Sequence, residues 1–138
     1  MTAKKLNPDL VRDEITRFWR AVTGKKSEEL AAFYASECSV FGSMSRRPEP
    51  GRLAAARRSR EYFGRLAKLR AEIGEIDVVM LGDAAAIATY TFEFHATGTS
   101  LRGQADEHIP HGRCSQVFGF DVEGKLKIFH EHMSAPVE

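Results

Sequence analysis

The chain has 138 residues, of which 43% are hydrophobic and 28% charged, proportions that suit one globular domain with a real core. Its formal net charge of +1 gives no global attraction to nucleic acid or to a membrane surface, and no run of about 18 apolar residues is present to span a bilayer. Met1 to Asp9 contain no apolar stretch of the secretory kind, and Cys38 and Cys114 are far apart without metal-type spacing, so the expectation is a cytoplasmic protein with two reduced, strand-borne thiols.

In chain order, Asn7-Pro8-Asp9 reads as a helix start: a capping side chain, a proline that fits the first turn and an acid beside it. Val11, Ile15, Phe18, Trp19 and Val22 then fall on one helical face, and Gly24 ends the helix. Ser27 reads as the cap of a second, shorter helix with Leu30, Phe33 and Tyr34 as its apolar residues. A short strand, Cys38 to Phe41, precedes a loop from Gly42 to Gly51 that holds Pro48 and Pro50.

The spacing predicts a third helix from about Arg52 to Leu69. Ala55, Ala56, Tyr62, Phe63, Leu66, Ala67 and Leu69 gather on one side, and Arg57, Arg58, Arg60, Arg65 and Lys68 on the other. With the net charge near zero, the basic side is read as a solvated face and not as a nucleic-acid surface. The period then changes from helical to alternating. Ile73 to Leu81 and Ala84 to His95 read as strands joined by a two-residue turn, Gly82-Asp83. Thr97 to Pro110 is polar and reads as a loop or a ragged strand extension.

The last quarter reads as a hairpin, with Gly112 to Phe120 and Lys125 to Ser134 joined by Asp121-Val122-Glu123-Gly124. A period of two puts Leu126, Ile128, His130 and His132 on one face and Phe129, Glu131 and Met133 on the other. Arg113, Ser115 and Val117 are assigned to the face of the two histidines, which is taken as the inner one. Helices first and antiparallel strands after predict a single α+β domain, with helices on one face of a curved sheet.

Several of these segments carry a resemblance: Phe33-Tyr34-Ala35 at the end of the second helix, and the ending Gly112-Arg113-x-Ser115-x-Val117, Glu123-Gly124-Lys125-Leu126-x-Ile128, His130-x-His132-x-Ser134. Together with the element order they resemble the SnoaL-like branch of the nuclear transport factor 2-like superfamily, over nearly the whole chain. The resemblance implies a cystatin-like α+β cone, in which three N-terminal helices pack on a strongly curved, mostly antiparallel sheet around a pocket open at one end. It also implies a homodimer through the outer sheet face. The superfamily includes ketosteroid isomerases, polyketide cyclases, dehydratases and the association domain of calmodulin-dependent protein kinase II, so fold alone does not select an activity. Where ketosteroid isomerases resemble this chain around Tyr34 to Gly42, their catalytic aspartate falls at Gly42, and their oxyanion-hole tyrosine falls near Phe18 and Trp19. Neither function is supplied by the residues present.

The candidate site built on the hairpin has Arg113 orienting an anionic or carbonyl group, with His130 or His132 as acid or base. An internal salt bridge from Arg113 to Asp77 or Glu75 is the structural alternative. Ser115, Trp19, Tyr34, Tyr62, Tyr90 and Phe92 complete the candidate lining, and the expected ligand is small and hydrophobic or anionic. No metal or cofactor is assigned. A two-histidine site needs a third ligand, and His95, Asp106, Glu107, His108 and His111 lie on strand ends and in a predicted loop. The rival function is a catalytically silent association module. Phe118, Phe120, Phe129 and Met133, placed on the outer face, favour it because a second apolar sheet face needs a second cover. No nucleic-acid or membrane partner is expected.

Overall fold

A computed structural model describes residues 4–41, 49–52, 66–98 and 106–136. Helix α1 spans Pro8–Thr23, with Asn7 at its N-cap accepting a hydrogen bond from the Leu10 N–H at 2.9 Å. Its buried residues include Val11, Ile15, Phe18, Trp19 and Val22, the stripe expected from the helical period. Helix α2 is a single turn, Ser27–Ala31. Ser27 is its first helical residue and not its cap; Lys26 precedes it and makes no side-chain capping bond. Glu28 and Glu29 in that turn face the positive end of the helix dipole.

Among the described residues seven strands follow: β1 Tyr34–Phe41, β2 Glu49–Pro50, β3 Leu66–Ile73, β4 Asp77–Leu81, β5 Ala85–Gly98, β6 Asp106–Phe120 and β7 Leu126–Ser134. They form one open, curved, mixed sheet in the order β2-β1-β7-β6-β5-β3, with β4 also on β5. Among the described residues only the β1–β7 pair is parallel. Strand β5 is long enough to hold two partners along one edge: β4 pairs with Ala85–Thr89 and β3 with Phe92–Gly98. Between them the Gly74 N–H donates to the Thr91 carbonyl at 2.9 Å.

Tyr34, read as part of the second helix, opens β1, which is longer than the predicted Cys38 to Phe41, and further expectations change. Of the predicted third helix, residues 53–65, including Tyr62, lie outside the described residues, but Leu66–Leu69 belongs to β3. There Leu69, Ala71 and Ile73 alternate with exposed Lys68, Arg70 and Glu72, a spacing of two that a short stretch of helical wheel also satisfies. The predicted loop from Thr97 to Pro110 is strand at both ends, Thr97–Gly98 in β5 and Asp106–Pro110 in β6. The β4–β5 connection has three residues, 82–84, with Gly82 at φ 71°. Gly42, where a catalytic aspartate would fall, lies outside the described residues.

The largest correction concerns which face of the hairpin points inward. On β6, Cys114, Gln116 and Phe118 are buried, whereas Arg113 and Ser115 are exposed. On β7, the pairing shifts between Val117↔His130 and Phe118↔Ile128. One extra residue, at Phe129, is accommodated there as a β-bulge, which reverses the phase of the strand. Ile128 and Glu131 therefore both face inward, and His130 and His132 face outward with Ser115 and Val117. Phe118, assigned to an outer apolar face, is fully buried, and Phe120, Phe129 and Met133 pack against the core. Helix α1 closes the inner face, with Trp19 against Tyr90 and Phe92 of β5.

Candidate functional site

The inner face of the hairpin carries a buried amide and a buried carboxylate: Gln116, 0% exposed, and Glu131, 3% exposed. They are opposite one another in the β6–β7 pairing, and the Gln116 amide Nε2 donates to Glu131 Oε1 at 2.7 Å. The Tyr34 hydroxyl, from β1 on the other side of β7, lies 3.1 and 2.9 Å from the two carboxylate oxygens and donates to them. The Gln116 carbonyl Oε1 accepts from the Tyr90 hydroxyl at 2.8 Å, and Tyr90 accepts from the Trp19 indole N–H at 2.9 Å.

The direction of this chain follows from the chemistry of its members. An indole N–H only donates, and a carboxylate only accepts. Trp19 at one end and Glu131 at the other therefore orient both Tyr90 and the Gln116 amide. A buried polar group without such partners would cost about 1–3 kcal/mol, which is why a core of this size tolerates five polar side chains only when they are linked.

Two thiols border the network. Burial, and then the Glu131 charge, push Cys114 well above the ordinary 9.0, and the Tyr90 hydroxyl beside it is also raised, chiefly by burial. Cys38 is raised by burial and next by Glu131. Both are reduced and buried, so neither offers a thiolate nucleophile at neutral pH. The interior chemistry is that of a carboxylate and phenols.

The residues proposed from sequence divide into two groups. Trp19, Tyr34, Tyr90 and Phe92 are brought together around Glu131 and Gln116, with Phe18 meeting Tyr34 edge-on at 6.1 Å. Arg113, Ser115, His130 and His132 lie on the opposite face. His130 Nδ1 is 2.7 Å from Ser39 Oγ, and the His132 ring is 5.5 Å from that of Phe41. Arg113 and His132 are exposed, so these groups do not converge on the interior. Glu131 was missed because the period of two was carried unbroken through the bulge, and Gln116 because the inner face of β6 was matched to the two histidines. A signal was available, since Glu131 stands between Phe129 and Met133 on an otherwise apolar face.

Two surface grooves lie away from this network. One, of about 1150 Å³, runs along α1 to the β6–β7 turn and is lined by Lys4, Arg17, Lys26, Lys125 and Lys127 among others. The other, of about 300 Å³, lies beside Gly74, Thr91 and His111. Neither touches Glu131, and the first is a solvated rim of long charged side chains. No helix among the described residues is long and apolar enough to cross a membrane.

Comparison with known proteins completes the description. The profile of the SnoaL-like domain matches residues 11–138. Among curated proteins none matches significantly in sequence. Among solved structures, a protein of Novosphingobium aromaticivorans provisionally named a scytalone dehydratase superposes with a TM-score of 0.79 at 16% identity, over 92% of this chain and 82% of its own. A Xanthomonas campestris protein provisionally named a calcium/calmodulin-dependent protein kinase II association domain gives 0.76 at 20%, over 99% and 96%. A nuclear transport factor 2-like superfamily protein of Salmonella enterica gives 0.75 at 22%, over 94% and 91%. With the profile spanning all of the sheet and most of α1, the chain belongs to the SnoaL-like domain family.

Proposed function

We propose that the protein is a small-molecule enzyme of the isomerase or lyase type, which uses Glu131 to move a proton on a hydrophobic carbonyl compound. The observation that carries this reading is a carboxylate 3% exposed, held by a tyrosine and an amide within an aromatic interior. A carboxylate held at a fixed place beside a substrate carbon can take its proton, and general-base catalysis contributes about 10²–10⁴ in rate. Tyr34 touches both oxygens and is the donor that can turn to a substrate carbonyl as charge develops there. Gln116, held by Tyr90 and Trp19, fixes the carboxylate's orientation. The structural likeness to a provisionally named dehydratase accords with this chemistry.

The test is proton–deuterium exchange at the carbon next to the carbonyl, followed by NMR, over a panel of cyclic enones and aryl ketones. Glu131→Gln keeps the side-chain shape and an acceptor for Gln116, and is expected to slow exchange by about 10²–10⁴ while leaving the fold intact. Exchange no faster than buffer for every probe, or an unimpaired variant, would overturn the reading.

The second reading is association through the outer sheet face. It is favoured by Val79 and Leu81 of β4, which are 59% and 50% exposed. Val79 continues in register through Ile87 to Val117, making an apolar row across the sheet. The likeness to a provisionally named association domain points the same way. A second copy related by a two-fold axis would cover the row. Sedimentation is expected to give twice the chain mass, falling to one chain on Val79→Lys with Leu81→Lys. A monomer at micromolar concentration in the unmodified protein would exclude it.

A further inference from the structure

We infer that Glu93, His95 and His108 form a binding site for a divalent transition-metal ion of the zinc type on the outer face of the sheet. Glu93 and His95 are two apart on β5 and share its outer face, while Tyr90, Phe92, Phe94 and Ala96 fill the inner one. Strand β6 places His108 directly opposite His95. That juxtaposition exists because Asp106–Pro110 is strand and not loop.

The three side chains converge. Glu93 Oε1 is 3.2 Å from His95 Nε2 and 3.8 Å from His108 Nε2. One ligand atom from each residue lies within 4.8 Å of the others. Ligands bound at 2.0–2.2 Å around a tetrahedral ion stand roughly 3.4 Å apart, so the two measured separations bracket the required edge. The imidazoles stack at 3.9 Å with planes 18° apart, and both present Nε2 to the same carboxylate oxygen. A small opening of the stack aims both nitrogens at one ion.

The donor set selects the metal. Two imidazoles and one carboxylate suit zinc, cobalt, nickel or copper, whereas magnesium and calcium call for oxygen ligands throughout. Three protein ligands leave a coordination position for water or a fourth group. The side chains of His95, Glu93 and His108 are 34%, 43% and 48% exposed, so an ion reaches them without any opening of the core. In register on β3, Arg70 stands beside His95 and Glu72 beside Glu93, so their charges offset one another. The site is on the face opposite Glu131 and does not depend on the proposed catalytic role.

The experiment is calorimetric titration of zinc chloride into the full chain at pH 7.5 after chelator treatment. One saturable site is expected. Glu93→Gln, His95→Asn and His108→Asn should each weaken it about tenfold or more, and His132→Asn should leave it unchanged. Circular dichroism of each variant checks folding. Cobalt(II) added to the unmodified protein supplies an independent readout: its visible absorption should be that of a tetrahedral ion, with paramagnetic broadening of the His95 and His108 ring protons. No saturable zinc binding at micromolar concentration would overturn the inference. So would binding that survives all three ligand variants, or broadening confined to His130 and His132.

Discussion

Replacing Glu131 by alanine is expected to lower the folding stability by about 3–5 kcal/mol, where the whole stability of such a domain is about 5–15 kcal/mol. The change removes the acceptor for the Tyr34 hydroxyl and for the Gln116 amide. Each is buried, and each unmet donor costs about 1–3 kcal/mol. The midpoint of thermal unfolding should fall on the order of 10 °C. Glu131→Gln is the informative comparison. A neutral amide still accepts from Gln116 through its oxygen, and its NH₂ can donate to the Tyr34 hydroxyl, so the stability loss should be much smaller. Urea unfolding of both variants separates the structural role of this residue from its chemical one. An alanine variant within about 1 kcal/mol of the parent would show that the network does not hold the core.

Gly112→Ala is expected to be the second most damaging single change, at about 2–3 kcal/mol. Gly112 is paired directly opposite Phe92, and the Phe92 ring lies over it. A Cβ at this position would sit 2.3 Å from Phe92 Cζ and 2.4 Å from Cε2, well inside contact distance. Phe92 cannot simply swing away, because its other side packs on Trp19 at a centroid distance of 5.0 Å. The displacement should pass to the indole, and Trp19 is the sole tryptophan, so its emission reports the disturbance directly. Phe92→Leu in the same chain makes room and should recover part of the loss, a coupling of about 0.5–3 kcal/mol between touching residues. Equal denaturant midpoints for Gly112→Ala and the parent would contradict this account.

The same pair of residues shows why only part of the site was legible in the sequence. Glycine ahead of Arg113 could be read as a strand start. Its role as the floor under a ring 20 residues earlier depends on the β5–β6 register, which sequence spacing does not specify. The aromatic half of the site, Trp19, Tyr34, Tyr90 and Phe92, was legible because large apolar side chains on one face of a helix or strand go inward whatever the register. Its polar half was not. Arg113, His130 and His132 carry the more conspicuous chemistry, yet a single bulged residue on β7 sends both histidines outward and turns Glu131 in.

By itself, the sequence determined what local physics decides. It set the capped amphipathic α1, the terminal hairpin with its Asp121–Gly124 turn and the α+β class, all of which follow from residue type and short-range period, and its motifs carried the resemblance to the family whose profile it matches. The tertiary structure alone decided what depends on strands meeting at a distance. It made Leu66–Ile73 a strand because β5 offers it an edge, it extended β6 back to Asp106 and so placed His108 beside His95, and it chose the inner face of the hairpin. The reason is the period of two. One added residue moves every side chain beyond it to the other face, and only the neighbouring strands and the helix that covers them determine where that residue is added.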